Sequence, residues 1–458
     1  MRRPEFVTLL SAAVIGVYVL VVVGATAALA DATAACSGWP LCSGDPSNPV
    51  VAVALFHRAV AVAVGALLIV TVLAGWSQVT RRVRAALAVA ALLYPAQAAI
   101  GAFLATGTAV ESLHLFTAMA IFGTLVVALA WHLETETGSD DVPETPPKPP
   151  DLPATGLDDS DDGFGTAPLS TSSRITATVG AYFRLMKPRL MWLLCLVAGA
   201  GMVLAGTPTI RTVAFTLGGG VLAIGASGTF NHVLERDVDK RMERTSDRPL
   251  ATHEVPVRNA LAFGGVLTVA SFWAFLSVNL LTAALGLAAI VFYSVVYTLI
   301  LKPNTVQNTV LGGAAGALPA LIGYVAVADR IGFVGLVLAG LIFLWTPAHF
   351  YNLALAYRDD YERGGFPMMP VVRGETETRK HVLLYLGATL LGAGVLASVT
   401  DLGWLYGATT VLLGAVFLWM VVRLHYEQSE SAAFRAFHAS NAYLGLVLVA
   451  IVIDGLAV

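Results

Sequence analysis

The sequence predicts an all-α fold: a polytopic membrane protein with a four-helix N-terminal bundle followed by a nine-helix bundle. Of its 458 residues, 57% are hydrophobic and only 12% charged, about half the charged share of a soluble globular domain. Mean hydropathy is +0.75. The apolar residues gather into thirteen long runs, most near the roughly 20 residues that an α-helix needs to cross a hydrocarbon core about 30 Å thick.

Four runs come first, at 7–29, 50–75, 84–105 and 112–133. The first follows MRRPEF and ends in ALADA, which also suits a cleaved secretory leader. Its length of about 23 residues exceeds the 7 to 15 of a leader core, so a retained helix is expected. Residues 134–175 are rich in Pro, Asp, Gly, Ser and Thr and lack aliphatic periodicity. They cannot bury enough apolar surface to fold, and a flexible acidic linker is expected between two membrane domains, 1–133 and 176–458. Nine runs follow, at 190–206, 211–234, 257–279, 281–301, 307–327, 331–356, 381–399, 402–423 and 438–456.

The net charge of -3 hides a surplus of the other sign. Ten of the 30 acids but only one of the 27 bases fall between 134 and 172, leaving 26 bases against 20 acids elsewhere. Those bases sit in alternate short loops: Arg2 and Arg3, then Arg81, Arg82 and Arg84, then the loops carrying Arg236 to Arg248, Lys302, Arg358 to Lys380, and Arg423 with Arg435. By the positive-inside rule these loops and the N-terminus are cytoplasmic in a multi-pass protein of the cell membrane. The surplus is a topology signal, and no nucleic-acid partner is expected.

The run at 211–234 leads into NHVLERDVDKRMERTSDRPL. Asn231, Glu235 and Asp239 stand four apart, one helical stripe about 12 Å long. Such hard oxygen donors suit Mg²⁺, which takes one or two carboxylates plus substrate phosphates. Arg236, Lys240, Arg241, Arg244 and Arg248 around them suit the oxygens of an anion. The bland reading of mixed charges is a solvated loop with helix ion pairs. A second cluster weighs against it: 331–356 leads into AYRDDYERGGFPMMPVV, which places Asp359 and Asp360 on the same membrane face by the loop count. Two acidic clusters on one face can hold Mg²⁺ around a diphosphate.

These residues resemble a known family. The N-x-x-x-E-x-x-x-D element with MERTSDRPL, the KPR entry at Lys187 to Arg189, the segment from Lys302 to Gly323 and YRDDY with PMMPVV are similar to the protohaem IX farnesyltransferases, or haem O synthases, among the UbiA-type intramembrane prenyltransferases. The likeness covers about 180–456. It implies transfer of farnesyl from farnesyl diphosphate to a vinyl group of protohaem IX (haem b), with Mg²⁺ held by Asn231, Glu235, Asp239 and Asp360, and Asp359 beside them. It also implies Lys187, Arg189, Arg241, Arg244, Lys302 and Arg358 as holders of the departing diphosphate. His232 and His349 adjoin the two motifs, as haem contacts or as structural histidines. The family usually has Asp where Glu235 stands, and the second cluster lacks the wider family's D-x-x-x-D spacing.

In the first domain, Cys36 and Cys42 fall in an outer loop, where a disulfide persists, while Cys195 lies inside an apolar run. His57 and His114 lie near the outer ends of two runs of the same direction. Each reads as a hydrogen-bonded core residue or, as a pair, as axial ligands to haem. The arrangement resembles one half of haem A synthase, which implies a bound haem and a haem A synthase as candidate partner. The Glu which that family carries three residues before its first His is Ala54 here, and Glu111 precedes His114 instead. Competing readings are a prenyltransferase acting on a quinone or lipid precursor and, from another class, a haem electron carrier or transporter. Transporters place their charges on broken midplane helices, whereas these acids sit at the membrane mouth.

Overall fold

The computed structural model describes residues 5–29, 44–45, 47–103, 108–139, 141 and 171–457. Cys36 and Cys42, Arg2, Arg3 and most of the acidic linker lie outside the described residues. In chain order the helices are α1 (Phe6–Leu29), α2 (Pro49–Gly75), α3 (Arg81–Gly101), α4 (Thr108–Thr137), α5 (Thr171–Leu185), α6 (Pro188–Ala205), α7 (Ile210–Asp239), α8 (Val257–Leu276) and α9 (Leu280–Val291). A π-helix (Phe292–Leu301) continues α9 into the short α10 (Lys302–Asn304). Then come α11 (Asn308–Ala328), α12 (Phe333–Ala356), α13 (Arg358–Arg363), α14 (Met369–Val372), α15 (Glu375–Ser398), α16 (Trp404–Glu427) and α17 (Glu430–Ala457). Among the described residues, thirteen helices are long and apolar enough to cross a membrane, at the places where the apolar runs lie.

The helices overrun the apolar runs wherever polar residues continue the same turn. Glu375 to Lys380 open α15, and Glu430 to Arg435 open α17; a span read by hydropathy alone stops at the first charge. The stretch expected as linker is likewise trimmed at both ends, since α4 runs on to Thr137 and α5 begins at Thr171. The buried faces of α5, Ala181 and Leu185, join Leu250, Val255, Val257 and Ala260 in one apolar cluster.

By its internal contacts the chain divides into two compact units. One comprises Met1–Asp140, Pro347–Ala356 and Thr376–Val458. Within it α1 packs on α2, α4 and α16, and glycines let the helices approach. A Cβ at Gly387 would lie 2.6 Å from a methyl of Val126, and one at Gly394 would lie 3.0 Å from a methyl of Val21. Lipid chains are as apolar as leucine, so helices in a bilayer gain by such close approach at small residues. Lys380 also pairs with Glu134 at 2.8 Å.

The second unit comprises Asp141–Thr346 and Tyr357–Glu375. Here α7 lies against α8, and α11 against α6. A Cβ at Gly323 would fall 1.9 Å from the carbonyl oxygen of Ala198, so α6 and α11 touch backbone to backbone. This unit carries the polar cluster described next.

Candidate active site

The stripe on α7 is real and buried: Asn231 is 2% exposed, Glu235 4% and Asp239 2%. A buried carboxylate persists as an ion only when paired. Each has a cationic partner from another segment. The Nη1 of Arg248 donates to both oxygens of Asp239 at 2.8 Å and lies 3.5 Å from Glu235. The Nζ of Lys302 donates to Glu235 at 2.5 Å and stands 4.3 Å from the ring centre of Phe366. Lys187 donates to Asn231 Oδ1 and, at 3.3 Å, to the Tyr293 hydroxyl. Three cations thus face two carboxylates.

Local sequence explains each placement. Lys187 precedes Pro188, which starts α6, and takes a left-handed backbone with φ of 55°, a conformation that costs a residue with a Cβ of order 1–3 kcal/mol. Its stem passes over Gly228, where a Cβ would lie 3.3 Å from the Lys187 Cγ and 2.8 Å from the Leu185 carbonyl. Lys302 is delivered by the π-helix, a widened turn that recurs at functional sites. Inside it the Thr298 hydroxyl donates to the Tyr293 carbonyl at 2.8 Å and accepts from the Asn231 amide at 3.3 Å. Arg248 stands nine residues beyond Asp239, past the end of α7, and returns by way of the turns at Asp239 to Thr245.

Asp360 has a different environment. Its carboxylate accepts from the backbone N–H of Glu243 at 2.7 Å and of Arg244 at 3.1 Å, and from Arg363 at 2.9 Å. Burial alone would raise its pKa, but these donors outweigh it and hold the group below the usual carboxylate value. Asp360 therefore staples the segment after α7. Arg244, on that segment, lies over the rings of Tyr357 and Tyr361 at 5.5 and 5.6 Å. For Arg248 burial works against the charge, yet Asp239 and Glu235 hold its pKa above the ordinary arginine value.

The structure therefore brings Asn231, Glu235, Asp239, Lys187 and Lys302 into one cluster, with Arg244 on the segment after α7 and Asp360 on α13, which holds that segment. Arg189 and Arg241 are exposed, and Asp359 is exposed beside Arg358, 3.7 Å away. Arg358 also donates to the Pro370 carbonyl at 3.4 Å. His232 is buried with an unbonded Nδ1. In the first unit His349 pairs with the Ser440 hydroxyl at 2.7 Å and stacks on Phe437, an environment suited to a structural histidine. Sequence reasoning named Arg248 only as one of five bases that bring charge to an anion, and it left out Tyr293 and Thr298, which sit in an apolar run and gave no signal.

Below the cluster an apolar cavity opens between α6, α7, α8, α9 and α11, with Lys187 and Tyr293 at its polar end and Leu194, Phe275, Pro319 and Ile322 among its walls.

Residues 192–445 match the model of the UbiA prenyltransferase family. The chain is 74% identical to protoheme IX farnesyltransferase 1 of Natronomonas pharaonis over the whole of both chains. It is 46% identical to the protoheme IX farnesyltransferase of Mycobacterium avium over 63% of this chain and 95% of that relative. A solved digeranylgeranylglyceryl phosphate synthase shares the fold, with a TM-score of 0.52 at 12% identity, over 61% of this chain and 99% of that one. The thirteen apolar helices, the buried charge cluster and these matches together place the chain in the UbiA prenyltransferase family, as a multi-pass membrane protein.

Proposed function

We infer that the chain is a protohaem IX farnesyltransferase, which joins farnesyl diphosphate to haem b and gives haem O and diphosphate. One observation carries the reading: two buried carboxylates and three cations stand at the polar end of an apolar cavity, in a chain 74% identical end to end to a protein of that name. Lys187, Lys302 and Arg248 hold the diphosphate oxygens, and the cavity holds the prenyl chain. The donor set of Asn231, Glu235 and Asp239 fits Mg²⁺ bound jointly with the diphosphate, since the extra positive charge of the cluster is matched by a ligand that brings more negative charge than the metal brings positive. When bound, Mg²⁺ supplies charge neutralisation to the leaving group.

With the leaving oxygens neutralised, the allylic C–O bond breaks and its electron pair leaves with the diphosphate. The vinyl group of haem b then supplies the pair for the new C–C bond, and water adds to the resulting cation with loss of a proton. The apolar walls exclude bulk water from the farnesyl cation until that bond has formed. Asp360 acts as a positioning residue through Glu243 and Arg244, with Asp359, Arg358, Arg241 and Arg189 at the outer, solvated side of the site. With the basic loops cytoplasmic, diphosphate enters and leaves on the cytoplasmic face of the cell membrane.

Haem extracted from cells that express the Asp239→Ala variant, separated by hydrophobicity, is expected to show about a hundredfold less farnesylated product than wild type. Unchanged haem O in that variant would overturn the assignment of the carboxylate site.

For residues 1–133 we propose a haem-binding domain joined by the acidic linker to the transferase domain at 176–458. The Nδ1 atoms of His57 and His114 are buried without a hydrogen-bond partner, and the two rings lie near enough to interact electrostatically. A Cβ at Gly24 would lie 3.2 Å from the His57 ring, and one at Gly101 would lie 3.1 Å from the His114 ring. The four helices thus divide the work, two carrying imidazoles and two carrying the glycines that make room for them. A haem A synthase would be the partner that receives the product. The purified His57→Ala/His114→Ala protein is expected to lose the Soret absorbance of the first domain while it keeps farnesyl transfer; an unaltered spectrum would remove the proposal.

A further inference from the structure

We propose that Arg244 recognises the acceptor by holding a propionate carboxylate of haem b at the mouth of the site, and that it is not a holder of the departing diphosphate; the proposal rests on the farnesyl transfer inferred above. Its guanidinium makes no ion pair and no side-chain hydrogen bond among the described residues, and its Nε is buried without a partner. The buried cations of the site are engaged. Arg248 and Lys302 pair with Asp239 and Glu235, and Lys187 donates to Asn231. On α13, Arg358 pairs with Asp359, and Arg363 with Asp360 and Glu243. A buried donor without a partner is costly, and an anionic acceptor is the strongest match for a guanidinium.

The arginine is built into place, because α13 grips both its backbone and its side chain. The Asp360 carboxylate accepts from the backbone N–H of Arg244 at 3.1 Å and from that of Glu243 at 2.7 Å. Tyr357 and Tyr361 stand one turn apart, the N–H of the second bonded to the carbonyl of the first at 3.0 Å, and the guanidinium lies over both rings at 5.5 and 5.6 Å. Two residues earlier, Met242 is buried against Gly364, where a Cβ would lie 3.0 Å from its sulfur. Aromatic faces take the flat surface of a guanidinium and leave its N–H edge free to bond in plane. A side chain held in this way has little freedom left to lose when a ligand binds.

The position suits a haem better than a diphosphate. Among the described residues no hydrogen bond or ion pair joins Arg244 to Asn231, Glu235 or Asp239, around which Lys187, Lys302 and Arg248 gather. Tyr361 packs edge-on to Phe366 with ring centres 6.5 Å apart, and Phe366 faces Lys302 at 4.3 Å. Two rings thus stand along this contact path from the guanidinium to the cluster. Arg244 is still near enough to Tyr293, at the polar end of the cavity, to act on it electrostatically. Protohaem carries its vinyl groups on one edge of a flat apolar ring and its two propionates on the opposite edge. With a propionate on Arg244, the macrocycle can lie along the aromatic side chains and turn its vinyl edge toward the cavity, where the farnesyl group is held. The carboxylates then stay at the watery mouth and the apolar edge points inward, which avoids burying an unpaired charge.

The test compares haem b with its dimethyl ester, in which both propionates are neutral, as acceptors for farnesyl diphosphate in membranes holding the full chain. Wild type is expected to show a KM about tenfold higher for the ester than for haem b, the size of one charge-assisted pair. Arg244→Met is expected to raise the KM for haem b about tenfold and to leave that for the ester in place, so that the two acceptors become equivalent, with the KM for farnesyl diphosphate within about twofold of wild type. A residue that only braced the loop would weaken both acceptors alike. Should Arg244→Met fail to accumulate, Arg244→Gln, also uncharged, reads the same ratio of ester to haem b. A ratio that stays at the wild-type value in the accumulated variant, or a loss confined to the KM for farnesyl diphosphate, overturns the proposal and leaves the farnesyltransferase reading intact. So does a wild type that does not distinguish the ester from haem b. A wild-type chain that farnesylates neither acceptor overturns both.

Discussion

Arg248→Ala is expected to lower kcat/KM for farnesyl transfer about a thousandfold, or about 4 kcal/mol of transition-state stabilisation. Two losses combine. Among the described residues Arg248 pairs with both Asp239 and Glu235 in the buried cluster, so its removal takes a cationic partner from Asp239 and leaves Glu235 paired with Lys302. Breaking a buried pair in this way costs about 3–5 kcal/mol of stability, and the same guanidinium is the group available to the incoming diphosphate. Arg248→Lys keeps the charge but gives a point donor in place of the planar fork, and should recover part of the loss. The measurement is kcat/KM in membranes for the three proteins, with thermal unfolding beside it. Activity in Arg248→Ala above a tenth of wild type would show that the carboxylates do not depend on this residue.

The second large effect is one of pH. Burial holds the Lys187 ammonium well below the ordinary lysine pKa, and the neighbouring charge of Arg248 adds to the shift. The sign follows from which form works. The protonated amine holds the diphosphate, so kcat/KM should fall as pH rises through the lowered pKa, well before the value of about 10.4 at which a free lysine titrates. The stability linkage runs the other way. The fold disfavours the charged form, so the penalty is full at pH below the folded pKa and fades as pH climbs toward the unfolded one. Lys187→Arg cannot deprotonate in this range and should lose the alkaline limb, while Lys187→Met should lower activity about a hundredfold at neutral pH. Superimposable pH profiles for wild type and Lys187→Arg would remove Lys187 from the site.

Much of this site could be read from residue order because it lies on one regular element. Asn231, Glu235 and Asp239 needed only the 3.6-residue period to be placed on a common face, and the apolar runs marked the thirteen described helices that are long and apolar enough to cross a membrane. What the sequence hid was who pairs with whom. Arg248 reaches the stripe through a turn whose course no periodicity describes, and Tyr293 and Thr298 face it because the helix widens at 292–301, a departure that apolar composition does not announce. Asp360 was expected as a metal ligand on its charge and its place at the membrane mouth. Whether a carboxylate faces an ion or the N–H groups of a neighbouring loop depends on where that loop travels.

The glycine contacts of the first unit bear on how the protein is made. Val21 and Val126, near the beginning of the chain, rest against Gly394 and Gly387, near its end. During synthesis α1 and α4 enter the bilayer long before α15 exists, and the faces that carry Val21 and Val126 must wait without their mating groove. Assembly is then governed by contacts of large sequence separation, which form slowly, and the early helices are open to mispairing while they wait. A ribosome stalled between the acidic linker and α15 would leave the first four helices inserted yet without their seat.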